Sequence, residues 1–116
     1  TASDDHPAYK SFLYYDQLRY RLLPYIYSMA GAAYHNNYTI MRGLAMDFAT
    51  DTAVLNIADQ YMFGASLLIN PVCEYRQTKR DLYLPKCAGW YDFYTEDQTS
   101  HYLRNTHNHL LLWYLF

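Results

Sequence analysis

LRYRLLPYIYSMAG, residues 18–31, carries its apolar side chains at helical spacing around a proline. Leu18, Leu22, Tyr25, Met29 and Ala32 step by three and four residues, which predicts one face of a helix. Arg19, Arg21 and Asp16 mostly fall off that stripe. Pro24 interrupts it. Inside a helix a proline removes one hydrogen bond and its ring clashes with the carbonyl of Tyr20, at a cost of about 3 kcal/mol. Two local arrangements avoid the cost. The helix kinks at Pro24, or two helices meet there with Pro24 in the first turn of the second. Further on, Ala30-Gly31-Ala32-Ala33 is small enough to let the helix lie close against another element. Upstream, Asp4-Asp5-His6-Pro7 reads as a loop entering a helix, with Asp4 or Asp5 as the cap and Pro7 in the first turn.

Beyond the helical region His35-Asn36-Asn37 reads as a turn. Thr39-Ile40-Met41 is a short, partly β-branched run that suits a buried strand. Asp51-Thr52 reads as the cap of a short helix covering Val54 to Tyr61, ended by Gly64. Ser66-Leu67-Leu68-Ile69-Asn70 is expected to be a buried strand stopped by Pro71. From there the pattern holds strands alone. Val72–Tyr75, Asp81–Leu84 and Trp90–Tyr94 are candidates, separated by the turn-like stretches Gln77-Thr78-Lys79 and Pro85-Lys86-Cys87-Ala88-Gly89. The change of character marks a boundary near residues 62 to 72. The last stretch, Glu96 to Phe116, ends in seven apolar or aromatic residues, Leu110 to Phe116, with no cap. That run is too short to span a membrane as a helix and is an aggregation liability if exposed.

The composition excludes several classes of function. The 116 residues allow one domain at most, and the formal net charge is −2. A basic footprint for nucleic acid is therefore missing. Arg76, Lys79 and Arg80 form a short cluster that reads as a solvated turn. No apolar run reaches membrane length, so no membrane partner is expected. Fifteen residues are Tyr, a side chain with an apolar body and a polar tip that suits half-buried contacts between elements or domains. Cys73 and Cys87 form no framework and lie in no zinc spacing, so free thiols are expected. Asn37-Tyr38-Thr39 matches the glycosylation acceptor pattern, a tripeptide that arises often by chance.

Candidate chemistry is thin. His107 and His109 would share a face on a strand, with His101 as a third member. No carboxylate or cysteine stands near them at a recognised spacing, so they read as loop histidines and no metal is expected. Asp47 with Asp51, and Asp92 with Asp97, are the carboxylate pairs available for acid–base work. Asp47 and Asp51 look like turn and cap residues, and Asp92 alternates towards solvent. Glycosidic chemistry needs two carboxylates held apart across a sugar, and no such pair is found. Ser28 and Ser66 lie in no nucleophile elbow, and no glycine loop for phosphate exists. Residue by residue, the chain reads as a structural module without an active site, and no cofactor is expected.

Several motifs together resemble one family. Leu18 to Ser28 is very similar to the "LRYxLLPYIYSL" helix of glycoside hydrolase family 31. In the family's order follow Thr39 to Leu44 with Met46-Asp47-Phe48, then Asp59 to Gly64 and Leu67 to Val72, similar to "DQYMFGxxLLVxPV". Arg80 to Pro85 and Gly89 to Thr95 resemble "RxVYLPxGxWYDFYTG". The resemblance implies an α+β fragment: the last helix–strand–helix of a (β/α)8 barrel followed by antiparallel β-sandwich strands. Residues 1–64 would close the barrel and residues 65–95 would open the β-sandwich domain. Residues 96–116 match nothing in the family pattern, as a frameshift, a chimeric junction or a divergent, truncated gene product would explain, and are expected to be poorly ordered or artificially packed.

The resemblance further implies a retaining α-glycosidase. One aspartate attacks the anomeric carbon and another is the acid/base. Both belong to segments upstream of anything present, so no catalytic residue carries over; Asp47, Asp51 and Asp92 do not match those motifs. "YSMAGAAYHNNYTIMRGLAMDF" is closer to the α-xylosidase branch than to the proline-bearing "GxPxxRPL" α-glucosidases. An oligosaccharide substrate is implied for the full-length parent only, with a homo-oligomer allowed and a bacterial cytoplasmic or periplasmic setting. The alternative is a non-catalytic, aromatic-rich structural or glycan-contacting module.

Overall fold

The computed structural model describes residues 5–77, 80–87, 89–94, 98–99, 103–105 and 111–115. The chain divides into two compact units, Thr1–Tyr38 and Thr39–Phe116.

The first unit is a pair of helices, α1 (Pro7–Arg21) and α2 (Leu23–Asn36). Of the two arrangements open to Pro24, the chain adopts the junction. Pro24 sits in the first turn of α2, where its missing N–H breaks no bond. Leu22 stands between the helices; its N–H donates to the Leu18 carbonyl at 3.0 Å, and its own carbonyl accepts from Ile26 at 2.9 Å. The N-cap of α1 is His6 rather than Asp4 or Asp5. Its Nδ1 accepts from the Ala8 N–H at 3.2 Å, and Pro7 opens the helix. Asp5 instead pairs with Lys10 at 3.2 Å. Asn37 ends α2 in the left-handed region at φ 53°, as a C-terminal cap often does. The expected stripe is present: Leu18 is buried, and Leu22, Tyr25, Met29 and Ala32 are half-buried. A Cβ placed on Gly31 meets nothing within 4 Å among the described residues. Phe12, Tyr20, Tyr27 and Tyr34 are exposed. No described helix is long and apolar enough to cross a membrane.

The second unit is built on a six-stranded antiparallel sheet of order β1-β2-β3-β8-β5-β6 with a separate β4-β7 pair. The strands are β1 (Met41–Gly43), β2 (Tyr61–Phe63), β3 (Leu67–Asn70), β4 (Arg80–Leu82), β5 (Trp90–Asp92), β6 (Gln98–Thr99), β7 (Leu103–Asn105) and β8 (Leu111–Leu115). A turn at Gly64, φ 69°, joins β2 to β3, and its N–H donates to the Ile40 carbonyl at 2.7 Å. Every residue of β3 is buried, the pattern of a strand covered on both faces. Between β1 and β2 lie a helical turn, α3 (Leu44–Asp47), and a 3₁₀ turn, Thr52–Asn56. The core joins Leu44 and Val54 from these turns to Met62, Leu68, Leu82 and Trp90 from the sheets and Leu84 from the segment after β4.

Further sequence expectations change. The buried strand expected at Thr39-Ile40-Met41 is instead β1 at Met41–Gly43, an edge strand whose Met41 is exposed. Asp51 is the cap as expected, with Oδ1 accepting from Ala53 at 3.1 Å, but the helix stops at Asn56 and Tyr61 belongs to β2. Val72–Tyr75 forms no strand. It leads into a turn in which Gln77 N–H donates to the Glu74 carbonyl and Arg76 takes φ 61°. The apolar terminal run holds β8, which pairs with both β3 and β5. Glu96, Asp97, His101, His107 and His109 lie outside the described residues.

Buried Asn70 ends β3 with neither carboxamide atom bonded among the described residues. An unsatisfied buried amide costs about 1–3 kcal/mol. Asn70→Leu is therefore expected to raise unfolding stability by about 1 kcal/mol in urea titration. A loss of similar size would show that the amide holds a partner.

Candidate functional site

The polar side chains of the second unit converge where the turns between β1 and β2 meet β4. Tyr83, just after β4, is held by Gln60 through two bonds. Gln60 Nε2 donates to the Tyr83 carbonyl at 2.8 Å, and the Tyr83 N–H donates to Gln60 Oε1 at 2.9 Å. Gln60 is buried, so both bonds replace water that cannot reach it. The phenol is thereby aimed at Asp51, and Tyr83 Oη donates to Asp51 Oδ2 at 2.7 Å. This bond is the main reason the Asp51 carboxyl lies below its ordinary value of 3.8, and the same bond raises Tyr83 above 10.0.

The signs fix a window. Asp51, lowered, adds stability above about pH 4 that is lost as pH falls through its folded pKa. Tyr83, raised, adds stability below pH 10 that is lost as pH rises through its folded pKa. Tyr83→Phe should lower unfolding midpoints between those limits, and the gap to wild type should close at both extremes. A gap that stays constant below pH 3 would contradict the assignment.

Two further groups brace the same region. Arg42 Nε donates to both Asp47 carboxylate oxygens, at 2.9 and 3.0 Å, and its Nη1 donates to Thr39 Oγ1 at 2.9 Å. Arg80 donates to the carbonyls of Pro71 and Asp59 and pairs with the Asp59 carboxylate. It is thus a bracing residue and not the solvated turn cation that its neighbourhood suggests.

Three of the candidate carboxylates hold structural partners. Asp47 is tied to Arg42, and Asp51 to Tyr83 and Ala53. Asp92 Oδ1 accepts from the Tyr94 N–H at 2.7 Å. Ser28 Oγ donates to the Pro24 carbonyl at 2.9 Å within its own helix. Ser66 lies in the β2–β3 turn, not in a strand. Cys73 and Cys87 are free and exposed. No group of three metal ligands exists among the described residues. Sequence reading missed Gln60, Tyr83 and Arg42, because their partners are set by tertiary packing and no local spacing announces them.

Comparison with known proteins agrees with this geometry. The family model described as "Glycosyl hydrolase family 31 C-terminal domain" matches residues 37–113. The match thus enters the stretch beyond residue 95 that the motifs left without a counterpart. An α-xylosidase of Saccharolobus solfataricus is 49% identical over 86 residues, which cover 74% of this chain and 12% of that protein. The crystal structure of a family 31 α-xylosidase from Xanthomonas citri superposes with a TM-score of 0.90 at 38% identity, over 97% of this chain and 13% of that one. A Flavobacterium johnsoniae dextranase of the family, solved with isomaltotriose, gives a TM-score of 0.77 at 27% identity, over 84% of this chain and 12% of its own. The chain spans about an eighth of the length of each of these relatives. With matching motifs, backbone and family model, the chain belongs to glycoside hydrolase family 31.

Proposed function

We propose that the chain is a piece of a retaining α-glycosidase that hydrolyses α-xylosidic bonds of oligosaccharides, and that it lacks the catalytic carboxylates itself. The α-glucosidic alternative is kept open by the relative solved with isomaltotriose. The observation that carries the reading is the 49% identity to an α-xylosidase, in a chain whose Asp47, Asp51 and Asp92 each hold a structural bond. Residues 1–64 are read as the C-terminal part of a (β/α)8 barrel and residues 65–95 as the opening of the following β-sandwich. The set of exposed aromatic side chains on α1 and α2, a surface that calls for cover, supports a larger protein around the helices. The test is the reading frame extended upstream of Thr1. Its product should hydrolyse an aryl α-xyloside faster than the α-glucoside and release the α-anomer first, followed by NMR. Release of the β-anomer, or no turnover, would sink the reading.

A further inference from the structure

We propose that the turn of residues 74–77 is a sugar-contacting site: the Tyr75 ring stacks on the C–H face of a pyranose in an oligosaccharide, and Glu74 and Arg76 bond its hydroxyls. Sugar as the occupant rests on the oligosaccharide substrate proposed above. The turn breaks a local rule. The Gln77 N–H donates to the Glu74 carbonyl at 3.2 Å, which closes a four-residue turn with Arg76 third. Arg76 has φ 61°. A turn with positive φ at its third residue ordinarily carries Gly or Asn there, because a Cβ is crowded in that conformation. Asn37, the other non-glycine residue with positive φ among those described, is of a tolerant type and caps α2. Arg76 caps no helix, and unforced outliers of this kind gather at binding sites.

What the turn displays is Tyr75. It is 89% exposed, more than any other large apolar side chain described. The Arg76 guanidinium carbon lies 5.2 Å from the ring centre. That is a cation–π distance, and the contact steadies the ring without covering it. A ring already held loses little freedom when a ligand arrives. Glu74 and Arg76, both exposed, flank it in sequence with an acceptor and a set of donors. The foot of the loop is braced. Arg80 donates to the carbonyl of Pro71, where the loop leaves β3, and to that of Asp59 at 3.0 Å. Size selects the occupant. One aromatic side chain supplies about 150–250 Å² of contact, whereas each partner in a standard protein interface contributes about 800 Å². Tyr75 matches a single sugar ring, whose C–H face is apolar and whose rim of hydroxyls takes the bonds that Glu74 and Arg76 can make. The net charge of −2 gives no general attraction for nucleic acid.

The test is a titration of the 116-residue chain with isomaltotriose and, separately, with an α-xylosyl glucoside, following the Tyr75 ring protons by NMR. Saturating shifts are expected with both sugars, because a stacked ring reads the C–H face that xylose and glucose share. Tyr75→Ala should weaken binding about tenfold and Tyr75→Phe less than about twofold, since the ring and not the hydroxyl makes the contact. Neither should lower the urea midpoint. Arg76→Gly separates the ligand from the fold. It relieves the positive φ and should raise the urea midpoint while weakening binding about threefold. No binding of either sugar, unchanged binding by Tyr75→Ala or Arg76→Gly, or a loss that follows a lowered midpoint would overturn the inference. Self-association that disappears in Tyr75→Ala, with no sugar bound, would assign the turn to a protein contact and overturn it as well. Turnover by the frame extended upstream is a separate outcome: sugar binding at Tyr75 without that turnover counts against the functional reading and not against this site.

Discussion

Trp90→Ala should unfold the second unit at room temperature or leave it barely folded, with a loss of about 3–5 kcal/mol in urea titration. Three terms add. The indole is 1% exposed at the start of β5 and contributes the largest apolar area in the core. Its Nε1 donates to the buried Pro85 carbonyl at 2.8 Å, an acceptor left unsatisfied by alanine. Its ring also meets Phe48, so the loop between β1 and β2 loses an anchor at the same time. Trp90→Phe separates the terms. It keeps most of the packing and removes the hydrogen bond, and should cost about 1–3 kcal/mol. If alanine and phenylalanine cost the same, packing is not what Trp90 contributes.

Leu68→Ala carries the second largest effect, about 2–5 kcal/mol. Leu68 is fully buried at the centre of β3, opposite Met62 on one neighbour and Trp113 on the other. β3 is the strand that joins the β1-β2 side of the sheet to the β8-β5-β6 side. A cavity at Leu68 therefore weakens both halves, and the surrounding strands cannot collapse into it without breaking register. Val72, two residues past the strand and 37% exposed, is the control; its alanine variant should cost under about 0.5 kcal/mol. Similar losses at both positions would contradict the placement of β3 in the interior.

Those two positions also show what the sequence made legible. Continuous apolar character and a closing proline were enough to identify β3, because a strand covered on both faces has no alternation to hide. Pro24 limited its helix to two arrangements, and a junction removes the clash that a kink only eases. The segment from Asp51 to Tyr61 was half legible. The cap is local chemistry between Asp51 and Ala53, whereas the end of the helix is not. Gln60 is drawn to the backbone of Tyr83, 23 residues away, and that long-range bond overrides the helical spacing of Val54, Ile57 and Tyr61. Val72–Tyr75 has strand propensity but finds no ladder: Arg80 takes the Pro71 carbonyl, and the left-handed Arg76 turns the chain away. β8 was read as a stray apolar tail because its partners, β3 and β5, lie far back in the chain. The bond between Asp51 and Tyr83 joins residues 32 apart and leaves no trace in any local pattern.

The proposal most open to test is that this chain is a piece of a family 31 glycosidase that lacks the catalytic carboxylates. The direct measurement is hydrolysis of an aryl α-xyloside by the 116-residue chain alone, beside the product of the frame extended upstream. The account predicts no turnover above background by the chain and sustained turnover by the longer polypeptide. Robust turnover by the chain alone would contradict it.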